Sequence, residues 1–129
     1  MRIEHIALWT GNLEGMKEFY VSFFGGKPGF KYENKQKQFE SYFITFDSGT
    51  RLELMSTPIL SNTYGTRGNP ICGYAHLAFS VNSKENVNVM TERLRNSGYT
   101  IVSGARVTGD GYYESCVLDP DGNLIEITI

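Results

Sequence analysis

The chain contains two histidines, and each stands in a short apolar stretch of nearly the same sequence. His5 opens the run His-Ile-Ala-Leu, and His76 opens the run His-Leu-Ala-Phe 71 positions later. Neutral imidazole is the commonest metal ligand in proteins. The matching placement makes the two histidines candidate ligands rather than two unrelated side chains.

Two glutamates repeat in the same way. Glu53 and Glu126 each follow a glycine by four residues and stand between aliphatic neighbours, at an offset of 73. Because side chains alternate along a strand, the aliphatic neighbours take one face and the glutamate takes the other. Each half of the chain therefore presents a histidine and, 48 or 50 residues later, a glutamate.

A divalent cation would explain all four residues together. A carboxylate in low-dielectric surroundings is costly without a partner, and two neighbouring carboxylates oppose each other's ionisation. Two imidazoles and two carboxylates form a charge-balanced ligand set for such an ion. The sequence therefore predicts a metal site made of His5, Glu53, His76 and Glu126.

The elements that must position these residues also occur twice. In each half a strand with the histidine precedes an amphipathic helix, and three strands follow, the last with the glutamate. The pattern predicts an α+β fold of two paired βαβββ modules, covering about 1–57 and about 72–129. We expect the first helix to run from Asn12 to Gly25 and the second from Ser83 to Gly98.

Between the modules, residues 58–71 are rich in proline, glycine and small polar residues. This composition predicts a linker, or a loop that folds over a site. Tyr64 and Arg67 lie in this segment as surface residues or as contacts to a substrate.

Composition excludes several kinds of partner. The 129 residues carry a formal net charge of −2, and 40% of them are hydrophobic. A chain without a basic stripe is not expected to bind nucleic acid or an anionic membrane, and it has no apolar run that could span one. No signal peptide is apparent, and Cys72 and Cys116 are too few for a disulfide framework, so we expect free thiols and a cytoplasmic protein.

Four stretches carry a family resemblance. They are EHIAL (4–8), RLEL (51–54), GYAHLAFSV (73–81) and DPDGNLIE (119–126). With them the chain resembles the vicinal oxygen chelate superfamily, which includes glyoxalase I, methylmalonyl-CoA epimerase, fosfomycin-resistance proteins and extradiol dioxygenases. The resemblance extends over essentially the whole chain and implies that the curled sheets of the paired modules form a cup around a metal.

The order His, Glu, His, Glu matches the glyoxalase I pattern within that superfamily. Fosfomycin-resistance proteins and extradiol dioxygenases typically supply two histidines and one glutamate, and epimerases usually have glutamine where this chain has Glu53. Bleomycin-binding relatives lack the ligands. The alternatives are another metal-dependent enzyme, such as an epimerase or a dioxygenase, and a non-catalytic protein that binds a drug or metabolite without metal.

The resemblance implies a mechanism. A lyase of the lactoylglutathione type isomerises a 2-oxoaldehyde thiol adduct through an enediolate, with Ni, Co or Zn holding the adjacent oxygens of this small substrate. By resemblance Glu126 is the base that moves the proton, and Glu53 is a second catalytic candidate across the metal. Family members are often homodimers, so the ligands could come from one chain or from two.

The chain departs from the glutathione-using relatives at two positions. Those relatives tend to carry an arginine four residues after the first histidine and an asparagine four residues after the first glutamate. Here the positions hold Trp9 and Thr57. Both are candidate substrate contacts, Trp9 as part of an apolar wall or as a packed residue, and the thiol of the substrate adduct, glutathione or another, stays open.

Overall fold

In the computed structural model, residues 4–60, 76–109 and 111–129 are described. The chain divides into two compact units, Met1–Asn62 and Thr63–Ile129. Each unit consists of one helix and one open mixed sheet, in the order expected for a βαβββ module. The predicted α+β class and the duplicated architecture are therefore confirmed.

The first unit contains a sheet with strand order β1-β5-β4-β2, and β3 also pairs with β4. Its elements are β1 (His5–Trp9), α1 (Leu13–Phe24), β2 (Lys27–Pro28), β3 (Tyr32–Asn34), β4 (Phe39–Thr45) and β5 (Arg51–Ser56). Where the sequence predicts one strand over 29–34, two short pieces pair with β4 instead. Pro28 ends the first piece, and a proline is tolerated there because the strand lies at the sheet edge.

The second unit repeats this arrangement in a four-stranded sheet of order β6-β9-β8-β7. Its elements are β6 (Leu77–Ser80), α2 (Lys84–Asn96), β7 (Ile101–Val107), β8 (Tyr113–Leu118) and β9 (Leu124–Thr128). In both units the first and last strands are parallel neighbours, β1 with β5 and β6 with β9. Thus β1, which contains His5, pairs with the Glu53 strand, and β6, which begins one residue after His76 rather than containing it, pairs with the Glu126 strand.

Both helices begin at the predicted capping residues. The Asn12 side chain accepts a hydrogen bond from the Gly15 amide at 3.0 Å, and the Ser83 hydroxyl accepts one from the Asn86 amide at 3.1 Å. The first helix ends at Gly25, whose φ of 67° lies in the left-handed region that glycine tolerates. The second ends at Asn96, slightly before the predicted Gly98.

Apolar side chains fill one face of each sheet. Met16, Phe19 and Tyr20 of α1 are buried, and α1 packs on β4 and β5. The apolar spacing of α2 predicts that Val87, Met90 and Leu94 face the sheet. Val87 and Leu94 are buried, whereas Met90 is half-buried and Thr91 is buried instead. The Thr91 hydroxyl lies 2.6 Å from the Val87 carbonyl and 2.6 Å from the Ser115 hydroxyl, and these bonds offset its burial.

None of the helices within the described residues is long and apolar enough to cross a membrane. Tyr64 and Arg67, with most of the predicted linker, lie outside the described residues, and so does Cys72.

Candidate metal centre

In the first unit, strand register places His5 and Glu53 on one face of the sheet. Ala7 of β1 is the parallel partner of Glu53 on β5, and His5 precedes Ala7 by two residues. Because side chains alternate, His5 and Glu53 share the face opposite to Leu52 and Leu54, which are buried against the helix side. The Glu53 side chain is half-buried.

The second unit has the same register. Ala78 of β6 is the parallel partner of Glu126 on β9, and His76 precedes Ala78 by two residues. Nε2 of His76 lies 3.2 Å from Oε2 of Glu126. Two donors that each lie about 2.0–2.2 Å from one cation are roughly 3 to 3.5 Å apart. The pair therefore fits adjacent positions on a divalent ion.

None of the four predicted ligands is fully buried. The His5 and His76 side chains are 41% and 39% exposed, and that of Glu126 is 20% exposed. The structure brings His76 and Glu126 together and places His5 and Glu53 on adjacent strands. That all four bind one ion stays a prediction.

Around His5 lies a small network that the sequence did not reveal. Nδ1 of His5 is 2.5 Å from Oε2 of Glu4, and the other carboxylate oxygen of Glu4 accepts a hydrogen bond from Arg51. The Arg51 guanidinium lies over the Phe43 ring, 4.1 Å from its centroid, and the His5 ring meets Phe43 edge-on at 5.5 Å. The hydrogen bond from His5, followed by that from Arg51, lowers the pKa of the Glu4 carboxyl despite some desolvation.

A second cluster surrounds Glu126. Cys116 is its antiparallel partner on β8, and ligand atoms of Glu114, Cys116 and Glu126 lie within 4.8 Å of one another. Thiolate and carboxylate together suit a cation such as zinc or cobalt. However, Arg106 also reaches this cluster, with Nη2 3.8 Å from Oε1 of Glu114, and it already supplies a positive charge there. Nothing in the residue spacing pointed to Glu114 or Cys116.

Burial controls the reactivity of Cys116, which is 6% exposed and a free thiol. Burial raises the pKa of this thiol, a hydrogen bond with Arg106 lowers it, and the charges of Glu126 and Glu114 raise it, so that it stays above its ordinary value. A raised pKa favours the protonated thiol, and a thiol is far less nucleophilic than a thiolate. We therefore expect iodoacetamide to alkylate Cys116 more slowly in the folded protein than in urea at pH 8.

The raised pKa of the Cys116 thiol also makes the stability of the folded protein depend on pH. A folded-state pKa above the unfolded value of about 8.5 means that the folded protein holds this proton more tightly. The stabilisation is complete below the unfolded pKa and is lost as pH rises through the folded pKa. Between pH 7 and pH 10, the free energy of unfolding measured with urea should fall less for Cys116→Ser than for the unchanged protein. Equal alkylation rates in folded and unfolded protein would contradict this account.

The two candidate substrate contacts lie in the first unit. Trp9 shares the strand face of His5, is 50% exposed, and meets Phe39 edge-on at 6.1 Å. Thr57 follows β5 and lines a groove of about 680 Å³, to which Phe39 also belongs. Two carboxylates and one lysine border the groove as well: Glu33, Glu40 and Lys35. A ligand in this groove would meet the Phe39 ring and mixed charges.

A family model described as the Glyoxalase/Bleomycin resistance protein/Dioxygenase superfamily matches residues 2–127. The chain therefore belongs to this superfamily. The family includes proteins of more than one function, so membership establishes the fold rather than a reaction.

The chain is also similar to individual proteins of this superfamily. The chain is 27% identical to a lactoylglutathione lyase of Arabidopsis thaliana over 98% of its own length, and it spans only 43% of that relative. Among solved structures, a glyoxalase family protein of Enterococcus faecalis has a TM-score of 0.81 at 23% identity, with 99% of this chain and 97% of that one covered. Glyoxalase I of Zea mays has a TM-score of 0.80 at 22% identity, with 98% of this chain but 44% of that one covered.

Proposed function

We propose that this protein is a metal-dependent lyase of the glyoxalase I type that isomerises a 2-oxoaldehyde thiol adduct, or a related small compound with adjacent oxygens. The observation that carries the proposal is the histidine–glutamate register, which is the same in both units and includes a 3.2 Å contact between His76 and Glu126. A chance pair of ionisable residues would not recur at the same register. The likeness to a lactoylglutathione lyase supports the same reaction class.

In this proposal His5, Glu53, His76 and Glu126 hold a divalent ion, for which nickel, cobalt and zinc are the candidates. When bound, such an ion stabilises the negative charge that develops on the adjacent substrate oxygens. The pairs could share an ion within one chain or across a homodimer. Cys116 is a free thiol, which is consistent with a reducing cytoplasm.

The protein's own part in the chemistry is proton transfer. Glu126 would take a proton from one carbon of the substrate and return it to the neighbouring carbon, because its carboxylate lies on the open face beside His76. Buried Ile125 and Ile127 on either side anchor the strand and keep this carboxylate on that face. Glu53, at the matching position of the first unit, is the second candidate for the same task.

Replacement of Trp9 and Thr57 tests the choice of thiol. We expect Trp9→Arg combined with Thr57→Asn to raise kcat/KM for the glutathione adduct relative to the adduct of an uncharged thiol. A hydrogen bond to a charged group contributes about 1.5–3 kcal/mol, which corresponds to a gain of roughly tenfold to a hundredfold. Trp9→Leu with Thr57→Val is the matched control. Similar gains in both double variants would show that no glutathione carboxylate is recognised there.

The proposed function is tested with metal and substrate together. Elemental analysis of freshly purified protein should find a divalent metal, and methylglyoxal with a panel of thiols should be turned over only by metal-loaded protein. Failure of every thiol would remove the lyase proposal. Exchange of solvent deuterium at the α-carbon of acyl-CoA substrates would then indicate an epimerase, and absence of metal would indicate a protein that only binds its ligand.

A further inference from the structure

The carboxylate of Glu4 contacts one of the two ring nitrogens of His5, Nδ1. An ionised carboxylate can only accept hydrogen bonds, so the hydrogen in the 2.5 Å contact belongs to Nδ1 of His5. A neutral imidazole protonated on Nδ1 has its lone pair on Nε2. Nε2 is therefore the nitrogen that can bind a metal.

Glu4 is itself held from the other side. Arg51 donates to its second oxygen, and the Arg51 amide donates to the Glu4 carbonyl at 3.0 Å. The guanidinium stacks on Phe43, the same ring that the His5 imidazole meets edge-on. Arg51 and Glu4 thus form a hydrogen-bonded bracket around the His5 ring.

The second half of the chain lacks the bracket. In the sequence, Ala75 stands before His76, and Leu124 takes the place of Arg51. Both members of the pair are absent from the second copy, although the histidine and the glutamate are kept. His76 instead approaches Glu126 directly, through Nε2. The Glu4–Arg51 pair is therefore a feature of the first unit and not a requirement of the repeated fold.

We propose that Glu4, held by Arg51, is a positioning residue that keeps His5 in the Nδ1-protonated form and so presents Nε2 to a divalent ion. The tautomer part of this inference concerns the metal-free protein. The metal part rests on the proposed function, in which His5 is a ligand. Metal-ligating histidines generally donate their other nitrogen to a carboxylate or carbonyl, and loss of that partner typically weakens metal binding about 10- to 100-fold.

The tautomer can be read directly by long-range ¹H–¹⁵N NMR of the metal-free protein, at a pH where the imidazoles are neutral. The chain has two histidines, so His5→Ala assigns both ring systems. We expect His5 to be protonated on Nδ1 in the unchanged protein. Glu4→Ala should move the hydrogen toward Nε2, and Glu4→Gln should keep it on Nδ1 because the amide oxygen can still accept it.

Metal affinity is measured by calorimetry with Zn²⁺ and Ni²⁺ alone, without substrate. Glu4→Ala should weaken binding about 10- to 100-fold, and Arg51→Leu should weaken it less. Glu4→Gln should recover most of the affinity. The matched control is Glu92→Ala, which removes an exposed carboxylate that also pairs with an arginine, at 3.2 Å from Arg95 in the other unit. This control should leave both the tautomer and the affinity unchanged.

The role of Glu4 toward the His5 tautomer and its role toward the metal are tested by separate measurements. A His5 ring whose tautomer is the same in Glu4→Ala as in the unchanged protein would overturn the positioning role of Glu4. A Glu4→Ala protein with altered tautomer and unchanged metal affinity would overturn its role toward the ion. If His5→Ala also left metal affinity unchanged, the ligand assignment in the proposed function would be wrong, whereas the tautomer result would still stand.

Discussion

Replacing Glu126 with glutamine is expected to lower kcat by roughly 10²- to 10⁴-fold, the usual contribution of a positioned general base. The amide has nearly the same shape and can still contact His76, but it cannot accept a proton from carbon. The flanking Ile125 and Ile127 are buried, so the strand and its face should be unchanged. Turnover should be measured on metal-saturated protein, because the amide oxygen is a weaker ligand than a carboxylate.

Glutamine variants of two further glutamates, Glu114 and Glu53, show whether the loss of kcat is specific to Glu126. Glu114→Gln changes a carboxylate that lies within 4.8 Å of the Glu126 carboxylate and contacts Arg106. For this variant we expect a much smaller loss of kcat. Glu53→Gln changes the counterpart of Glu126 in the first unit. A larger loss in Glu53→Gln than in Glu126→Gln would assign the base to the first unit, and an equal loss in Glu114→Gln would remove the special role of Glu126.

Loss of either histidine is expected to remove most of the bound metal. If His5 and His76 bind one ion, each alanine variant should weaken binding by more than the roughly 10- to 100-fold that outer partners typically contribute. In the double variant, the loss of metal-binding free energy should then be smaller than the sum of the two single losses, because the first substitution already disrupts the shared site. Asn96→Ala, at the exposed end of α2, is the control. Metal content and calorimetry with Zn²⁺ provide the measurement.

The same variants distinguish the two possible arrangements of the ligands. If a site takes its histidines from two chains, a mixture of His5→Ala and His76→Ala proteins forms mixed dimers with one intact pair, and metal binding returns. If each site lies within one chain, mixing restores nothing. Full metal retention in His5→Ala alone would confine the ligand set to the second unit.

The repeated pattern was predictable because it is local. Histidine and glutamate each recur within a few residues of the same apolar neighbours, and alternation along a strand then assigns them to the face away from the core. The capping residues Asn12 and Ser83 were visible for the same reason, since a cap acts on an amide two or three residues away. The order βαβββ and the site candidates followed from these short-range signals.

Other features depended on distant partners. Glu4 gained its importance from Arg51, which is 47 residues away, and Cys116 gained its importance from register with Glu126 on the neighbouring strand. The buried Thr91 hydroxyl bonds the Val87 carbonyl of its own helix and also the Ser115 hydroxyl on β8, 24 residues away. No spacing rule within one element contains this information.

The sequence by itself determined that the fold is duplicated, that its two sheets are amphipathic, and which four residues could bind a metal. The tertiary structure alone decided that Ala7 lies beside Glu53 and Ala78 beside Glu126, and thus which histidine and glutamate share a face. The reason is that a slip of one residue between strands reverses every side chain. Local pattern specifies the faces of a strand, but only pairing with the other strands specifies what stands next to each residue.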